Sequence, residues 1–381
     1  MPRTRVAVIG AGLAGTFATL ALAERGVAVT LFEALEPGHD RGSSHGGSRI
    51  FRHAYPDEDH VRLAVRADEG WRALERNTGE RLLWRAGGLD FVADAGEELS
   101  RIESALDSQG SRWQRLTAAE VRARFPAFDP PDETEALYQP DAGVVAADRA
   151  LTAALRRAAE LGAELRFDTP VDGWHARGGH VEVVTGSGQV AYADRLVLSA
   201  GPWLAQGPLA ISAPLDVEQQ QVVYLAAPPG PVHSAGIMPV FIDRDSGTYG
   251  MGRLEHPAAI KVADHRGGTS TVLNDRSVTV DDEWARRTAE RVARLLPNLG
   301  PRLSASLCLY TKTPDEAFLI GALPGVPEVV VAAGLSGHGF KFGPALGELL
   351  ADLAVDGVSR WWSHRFAPER FDPDGSAARD A

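Results

Sequence analysis

Apolar and polar positions follow three different rhythms along this chain, and each predicts its own kind of element. RVAVIGAGLAGTFATLALAERGVAVTLFEA opens with an unbroken apolar run, Val6 to Ile9, as a strand buried on both faces requires. A glycine turn, a helix and a second apolar strand, Ala28 to Phe32, follow it. Over residues 61–78 the spacing turns helical, with Val61, Val65, Trp71 and Leu74 on related faces. GGLDFVAD predicts a strand, and residues 96–125 predict two helices, the second stopped by Pro126. DETEALYQPDAGVVAADRAL predicts a hairpin running into a helix from Asp148 and then a strand. From Val171 to Tyr192 apolar and polar residues alternate through turn glycines, the pattern of an antiparallel meander. An apolar strand, Arg195 to Ser199, and a turn at Gly201 close that stretch. Residues 213–312 are strand-rich, with one helix at about 282–296. PEVVVAAGLSGHGFKFGPALGELLADLAVDG then repeats the opening order of strand, glycine turn and helix, and APERFDPDGSAARDA predicts a solvated tail.

Elements of a parallel sheet near both ends imply an α/β fold of two domains, mixed α+β in its second part. Residues 1–85, 140–212 and 318–381 make a discontinuous, Rossmann-like nucleotide domain. Residues 86–139 and 213–317 make a second, antiparallel-sheet-rich domain that holds the substrate. Composition narrows the class. A formal net charge of −12 over 381 residues argues against nonspecific nucleic-acid binding, because phosphates are repelled. The apolar stretches are broken by glycines, so no membrane span is expected. A single cysteine leaves no internal disulfide and no thiolate zinc cluster, so the expected address is a reducing cytoplasm and no metal is expected.

Gly10, Gly12 and Gly15 fit G-x-G-x-x-G between the first strand and its helix. The first glycine allows a tight turn, the second lets backbone approach a pyrophosphate, and the third lets helix pack on strand. The helix N-terminus offers amide hydrogens and positive dipole to phosphates. Glu33, at the end of the second strand, can accept hydrogen bonds from a ribose diol. These residues specify a dinucleotide without choosing between NAD and FAD. GSSHGGSRIFRHAY, residues 42–55, offers small residues able to wrap a flat ligand, including Ser43 and Ser48, and two forked donors, Arg49 and Arg52. Lysine is scarce: the chain has 36 arginines but only Lys261, Lys312 and Lys341. A compact ammonium in a tight pocket is one reason to keep a lysine where arginine is otherwise preferred.

Taken together, the glycine motif ending in Glu33, GSSHGGSRIFRHAY, ADRLVLSAGPW, IKVADH, SLCLYTKTPDEAF and GLSGHGFKFGPALGELL resemble the monomeric sarcosine oxidase and N-methyltryptophan oxidase family, within the D-amino-acid oxidase-like flavoproteins. The resemblance spans nearly the whole chain. It implies FAD held by Gly10, Gly12, Gly15, Glu33, Ser43, Ser48, Arg49, Val171, Gly201, Gly337, His338, Gly339 and Lys341. It also implies a thioether from Cys308 to the 8α-methyl carbon of the flavin, with neighbouring basic groups favouring the thiolate. Lys261 matches the lysine that faces the flavin and assists its reaction with oxygen. Arg52 and Lys341 match a pair that anchors the substrate carboxylate. Arg49 and His45 match positions beside the flavin, and His265, Tyr310 and Tyr249 match walls of the substrate cavity.

The reaction so implied is oxidation of an amino acid at its C–N bond to an imine, with oxygen reduced to hydrogen peroxide by a monomeric enzyme. Sarcosine, another N-methyl amino acid, and a cyclic amino acid such as proline or pipecolate stay open as substrates. Tyr249 apart, residues 232–260 are not matched residue by residue in the resemblance, and Lys312 is expected in a structural ion pair. His53 and His60 have no role of their own. Three rivals remain: a flavin dehydrogenase with another acceptor, an NAD-dependent dehydrogenase, and a non-catalytic binding protein on the same fold.

Overall fold

The computed structural model describes residues 4–93, 96–277 and 279–371. Most of the expected tail, residues 372–381, lies outside the described residues, as does Asp94 of GGLDFVAD. The beginning of that tail is not free: Pro368–Phe371 forms a 3-10 turn, and Arg370 pairs with Asp315 at 2.9 Å.

Six strands form one sheet in the order Leu319–Leu323, Val326–Ala333, Arg195–Leu198, Arg5–Ile9, Ala28–Phe32 and Glu164–Arg166. The last five run parallel, and Leu319–Leu323 returns antiparallel at the edge. The apolar run at the start of the chain has its reason here. Val6 and Val8 face a core shared with the helices Leu13–Glu24, Ala147–Glu160 and Gly343–Asp356. Ala7 and Ile9 face a second core against the meander Val171–Ala176, Val181–Thr185 and Val190–Ala193. Both faces are covered, so both registers of the strand must be apolar. Strands from the beginning, middle and end of the chain therefore share one sheet, as expected of a two-domain α/β fold.

The second large sheet is built on two long antiparallel strands, Asp216–Ala226 and Arg302–Lys312. Ala259–Asp264, Thr248–Met251, Val240–Asp243, Gly88–Val92, Glu135–Gln139 and Gln114–Thr117 extend it. The helix Asp282–Ala293 packs on this sheet through Trp284, Ala285 and Val292.

Three expectations change. Glu135–Gln139 and Gly143–Ala146 do not form a hairpin. The first pairs with Gly88–Val92 and Gln114–Thr117, and the second pairs with Ser48–Phe51 and Leu83–Trp84 in a separate small sheet. The short turn between them carries the chain from one sheet to another. Residues 96–125 hold the two expected helices, Glu97–Ser108 and Ala118–Arg124, but the strand Gln114–Thr117 intervenes. The helix expected over 61–78 begins earlier, at Glu58, because the Asp57 side chain accepts a hydrogen bond from the His60 N–H and caps it.

Candidate active site

A cavity of about 1020 Å³ runs between the parallel sheet and the antiparallel sheet. At one end lie Gly10 to Ala14, Glu33, Thr169 to Val171 and Gly201. Gly10 has φ +96°, and a Cβ there would lie 2.6 Å from the Ser199 carbonyl oxygen. A Cβ on Gly15 would lie 1.8 Å from the Gly10 carbonyl oxygen, so the helix can start only this close to the strand without side chains. Glu33 accepts hydrogen bonds from the Ala11 N–H at 2.7 Å and the Leu35 N–H at 3.1 Å. Its two oxygens keep further lone pairs for a ligand.

At the middle of the cavity, four segments converge. Ser306, Cys308 and Tyr310 alternate along Arg302–Lys312 and all line the cavity. Lys261 lines it from the strand Ala259–Asp264, and is buried, with its Nζ 3.0 Å from Glu255 Oε1 and 3.3 Å from the Ser48 carbonyl oxygen. Arg49 donates to the carbonyls of Ser48 at 2.8 Å and Ser43 at 3.2 Å, which fixes its guanidinium beside the cavity. His45 also lines the cavity and sets its two ring nitrogens 2.9 Å from the Gly42 carbonyl and 3.1 Å from that of Leu307. Burial and Arg49 nevertheless hold its pKa below the ordinary value. The hydroxyl of Ser43 is buried and has no hydrogen-bond partner.

The thiol expectation reverses in sign. Arg49 and Lys261 do act on Cys308, yet burial outweighs them and pushes its pKa above the ordinary value. Without a ligand, Cys308 is a protonated thiol at neutral pH.

The far end of the cavity is aromatic and cationic. Tyr249 and Tyr310 share a hydrogen bond between hydroxyls at 3.1 Å, and burial pushes the Tyr249 pKa up to about 12. A Cβ on Gly337 would fall 2.2 Å from the Tyr310 ring, and its φ of +75° suits glycine. His265 stacks obliquely on Tyr310, with ring centres 5.5 Å apart. Burial, the largest cause, lowers its pKa to about 4, with help from Lys312, Lys341 and Arg52, so it is neutral near pH 7. Buried Lys341 donates to the Tyr55 hydroxyl at 2.8 Å and to the His338 carbonyl at 2.6 Å. Arg52 lies over the Tyr55 ring at 4.4 Å and 4.0 Å from Asp90. Its Nη1 is buried and lacks a hydrogen-bond partner, an unmet donor beside the cavity.

Every residue expected at the site lines this one cavity except Gly15, which lies behind it where the helix packs on the Gly10 carbonyl. Sequence reasoning missed several others. Tyr224, Tyr55, Arg244 and His60 also line it. His60, expected to have no role of its own, stacks on Tyr55 with ring centres 5.0 Å apart and hydrogen-bonds to Asp57. Glu255 comes from the unmatched residues 232–260, and no spacing pattern ties it to Lys261. That segment also supplies the Tyr249, Met251 and Arg244 walls. Lys312 is held, as expected, by Glu218 and Glu316, each at 3.2 Å.

A glycine-lined helix start, an acid at the end of the second strand and a cavity between two sheets define a dinucleotide-dependent oxidoreductase. The cavity volume, the unpartnered Ser43 hydroxyl and the cluster of Arg49, Lys261 and Cys308 fit a dinucleotide carrying a flat redox ring. Residues 5–353 match the family of FAD dependent oxidoreductases known as DAO, and the chain belongs to that family. It is 35% identical to a monomeric sarcosine oxidase of Streptomyces avermitilis, over 97% of this chain and 98% of that protein. It is 31% identical to an N-methyl-L-tryptophan oxidase of Salmonella arizonae, over 96% of this chain and 98% of that protein. Among solved structures it resembles L-proline dehydrogenase from P. horikoshii, with a TM-score of 0.85 and 26% identity, covering 97% of this chain and 98% of that one. Among the described residues, no helix is long and apolar enough to cross a membrane.

Proposed function

We propose that this protein is an FAD-dependent oxidase of a secondary amino acid, N-methyl or cyclic, acting as a monomer in the cytoplasm. The observation that carries the reading is one cavity faced by a lone thiol, a buried lysine and an Arg52–Lys341 pair. FAD, when bound, supplies the two-electron acceptor that takes electrons from the substrate and passes them to oxygen. Its nucleotide half would lie along Gly10, Gly12, Gly15, Glu33, Val171 and Gly201, with the ring end near Ser43, Ser48, Arg49, Cys308 and Gly337 to Lys341. Residues 1–85, 140–212 and 318–381 form the FAD unit in this reading, and 86–139 with 213–317 form the substrate unit.

Arg52 and Lys341 hold the substrate carboxylate by charge-assisted hydrogen bonds. Tyr249, Tyr310 and neutral His265 wall the amine end, and an uncharged imidazole there does not repel a protonated amine on entry. Net loss of one C–H proton, one N–H proton and two electrons turns the amine into an imine. Water then splits an N-methyl imine into amine and aldehyde. Oxygen takes two electrons and two protons and leaves as hydrogen peroxide. Lys261 stabilises the negative charge that develops on oxygen, and Arg49 adds a second positive charge nearby. Cys308 would tether the flavin by a thioether at its 8α-methyl carbon, with the S–H proton and one methyl C–H proton lost and the two electrons passed to oxygen. Similarity to an L-proline dehydrogenase supports a second reading, with the same site and a different electron acceptor.

The test begins with acid precipitation of the purified protein. Yellow colour is expected in the pellet, and in the supernatant for Cys308→Ala. Peroxide release with N-methyl and cyclic amino acids then separates oxidase from dehydrogenase. Absence of flavin from both fractions, after reconstitution with FAD, would remove the whole reading.

A further inference from the structure

Glu255 belongs to no motif, yet its carboxylate is one of the most heavily engaged in the cavity region. A single oxygen, Oε1, lies 3.0 Å from Lys261 Nζ and accepts hydrogen bonds from the Ser48 hydroxyl at 2.9 Å and the Tyr224 hydroxyl at 3.0 Å. The chain leaves room for it: a Cβ on Gly47 would lie 2.5 Å from Glu255 Oε2. These contacts join three separate segments around one ammonium. Met251 and Tyr224 are the cross-strand neighbours of Lys261 on either side. We infer that Glu255 is a positioning residue that keeps Lys261 an ammonium aimed into the cavity, and thereby sets the rate and pH range of the reaction with oxygen. The inference rests on the proposed role of Lys261.

The physical case is a contest of charges. Lys261 is 6% exposed, and burial disfavours an ammonium by as much as 3–5 pK units, in rough terms. Arg49, a second cation, pushes the same way. The groups facing Lys261 are Arg49, Glu255, the Cys308 thiol, the Ser48 carbonyl and the face of the Tyr224 ring at 5.9 Å. Among the described residues, Glu255 is the carboxylate in ion-pair reach of Lys261. Lys261 in return holds the Glu255 carboxyl below its ordinary pKa, against burial. Take the carboxylate away, and burial and Arg49 favour a neutral amine, which cannot stabilise charge on oxygen.

The scarcity of lysine makes this measurable. With three lysines in the chain, ε-15N-lysine labelling of the flavin-loaded protein gives three side-chain signals, and Lys261→Met identifies one by its loss. The Lys261 signal is expected to stay that of an ammonium through pH 8. In Glu255→Gln, which keeps hydrogen-bonding atoms and loses the charge, its midpoint should fall by about 1–3 units. In stopped flow, the reduced variant should react with oxygen about a hundredfold more slowly above that midpoint, while its reduction by substrate is unchanged. Glu255→Asp should recover part of both effects, which a merely structural role for the side chain does not predict. An unchanged midpoint and oxygen rate in Glu255→Gln would overturn the inference and leave the oxidase reading standing. An unchanged oxygen rate in Lys261→Met would overturn the reading of Lys261, and the inference with it. Should Glu255→Gln fail to hold flavin, the wild-type titration decides, because a Lys261 already neutral at pH 7 contradicts the inference.

Discussion

At the scale of single residues, Lys341, proposed above as part of the carboxylate anchor, is held by a chain of hydrogen bonds with a defined direction. Lys341 Nζ donates to the Tyr55 hydroxyl, which lies 3.1 Å from His338 Nδ1. His338 Nε2 lies 3.0 Å from the Glu316 carbonyl oxygen. A carbonyl can only accept, so Nε2 carries the proton and Nδ1 accepts from Tyr55. Burial and Lys341 push the His338 pKa well below the ordinary value, which keeps this tautomer neutral. Burial, with Arg52, lowers the Lys341 pKa well below its ordinary value; once a substrate carboxylate favours the ammonium, two of its three hydrogens are spoken for and the third is left for the substrate. Removing one charge-assisted bond costs about 1.5–3 kcal/mol, or roughly 10- to 150-fold in affinity. Lys341→Ala and Arg52→Ala are each expected to raise KM for amino-acid substrates by that factor. Steady-state kinetics checks it, together with titration of a carboxylate inhibitor, whose Kd should weaken in parallel. That Lys341, Arg52, Cys308 and Lys261 share one cavity was legible because each stands inside a local motif. Glu255 and Tyr55 were not, because their partners are set by strand register and by a turn, and neither leaves a period in the sequence.

Among elements, the helices Leu13–Glu24 and Gly343–Asp356 approach each other closely. A Cβ on Gly347 would lie 2.3 Å from the Phe17 carbonyl oxygen, and one on Gly343 would lie 2.8 Å from the Phe17 ring. Here two propensities conflict. Alanine improves a helix interior by about 1 kcal/mol over glycine, whereas forcing a methyl into a filled contact costs about 1–3 kcal/mol. The obstacle is backbone and cannot rotate away, so the steric cost wins. Gly347→Ala is expected to lower the melting temperature, and calorimetry on the flavin-loaded protein gives the sign directly. A rise would show that the helices part easily. The long elements were legible in the pattern, since the apolar run Val6 to Ile9 and the helical spacing around Trp71 both report burial. The false hairpin at Glu135 to Ala146 shows where pattern stops. Alternation records that a strand has one buried face, and says nothing about which sheet supplies the partner.

For the whole molecule, acidification is the expected weak point. His45, His53, His233, His265 and His338 all have lowered pKa values, with burial the first cause in each case. A histidine whose folded pKa lies below its unfolded one takes up protons more readily in the unfolded chain. Stability is therefore full above about pH 6.5 and falls as the pH drops toward the folded values. For His265, whose pKa falls from 6.5 to about 4, the loss is on the order of 3 kcal/mol. Carboxylates held below their ordinary pKa, among them Asp57 and Glu255, extend the loss at lower pH. Melting temperature measured from pH 8 to pH 4 should be nearly flat to about 6.5 and then decline. His265→Asn should flatten the upper part of that decline. A melting temperature that rose on acidification would contradict the buried, neutral histidines.

The parallel sheet has a further consequence for how the chain is made. Arg195–Leu198 lies between Arg5–Ile9 and Val326–Ala333. A ribosome adding about 5–20 residues per second reaches residue 326 roughly 16–65 s after it starts. Until then the central strand has a vacant edge, and Gly343–Asp356 is not yet there to cover the first helix. The half-made protein carries an unpaired strand edge and an uncovered helix face, and the last strand and helix are what close both.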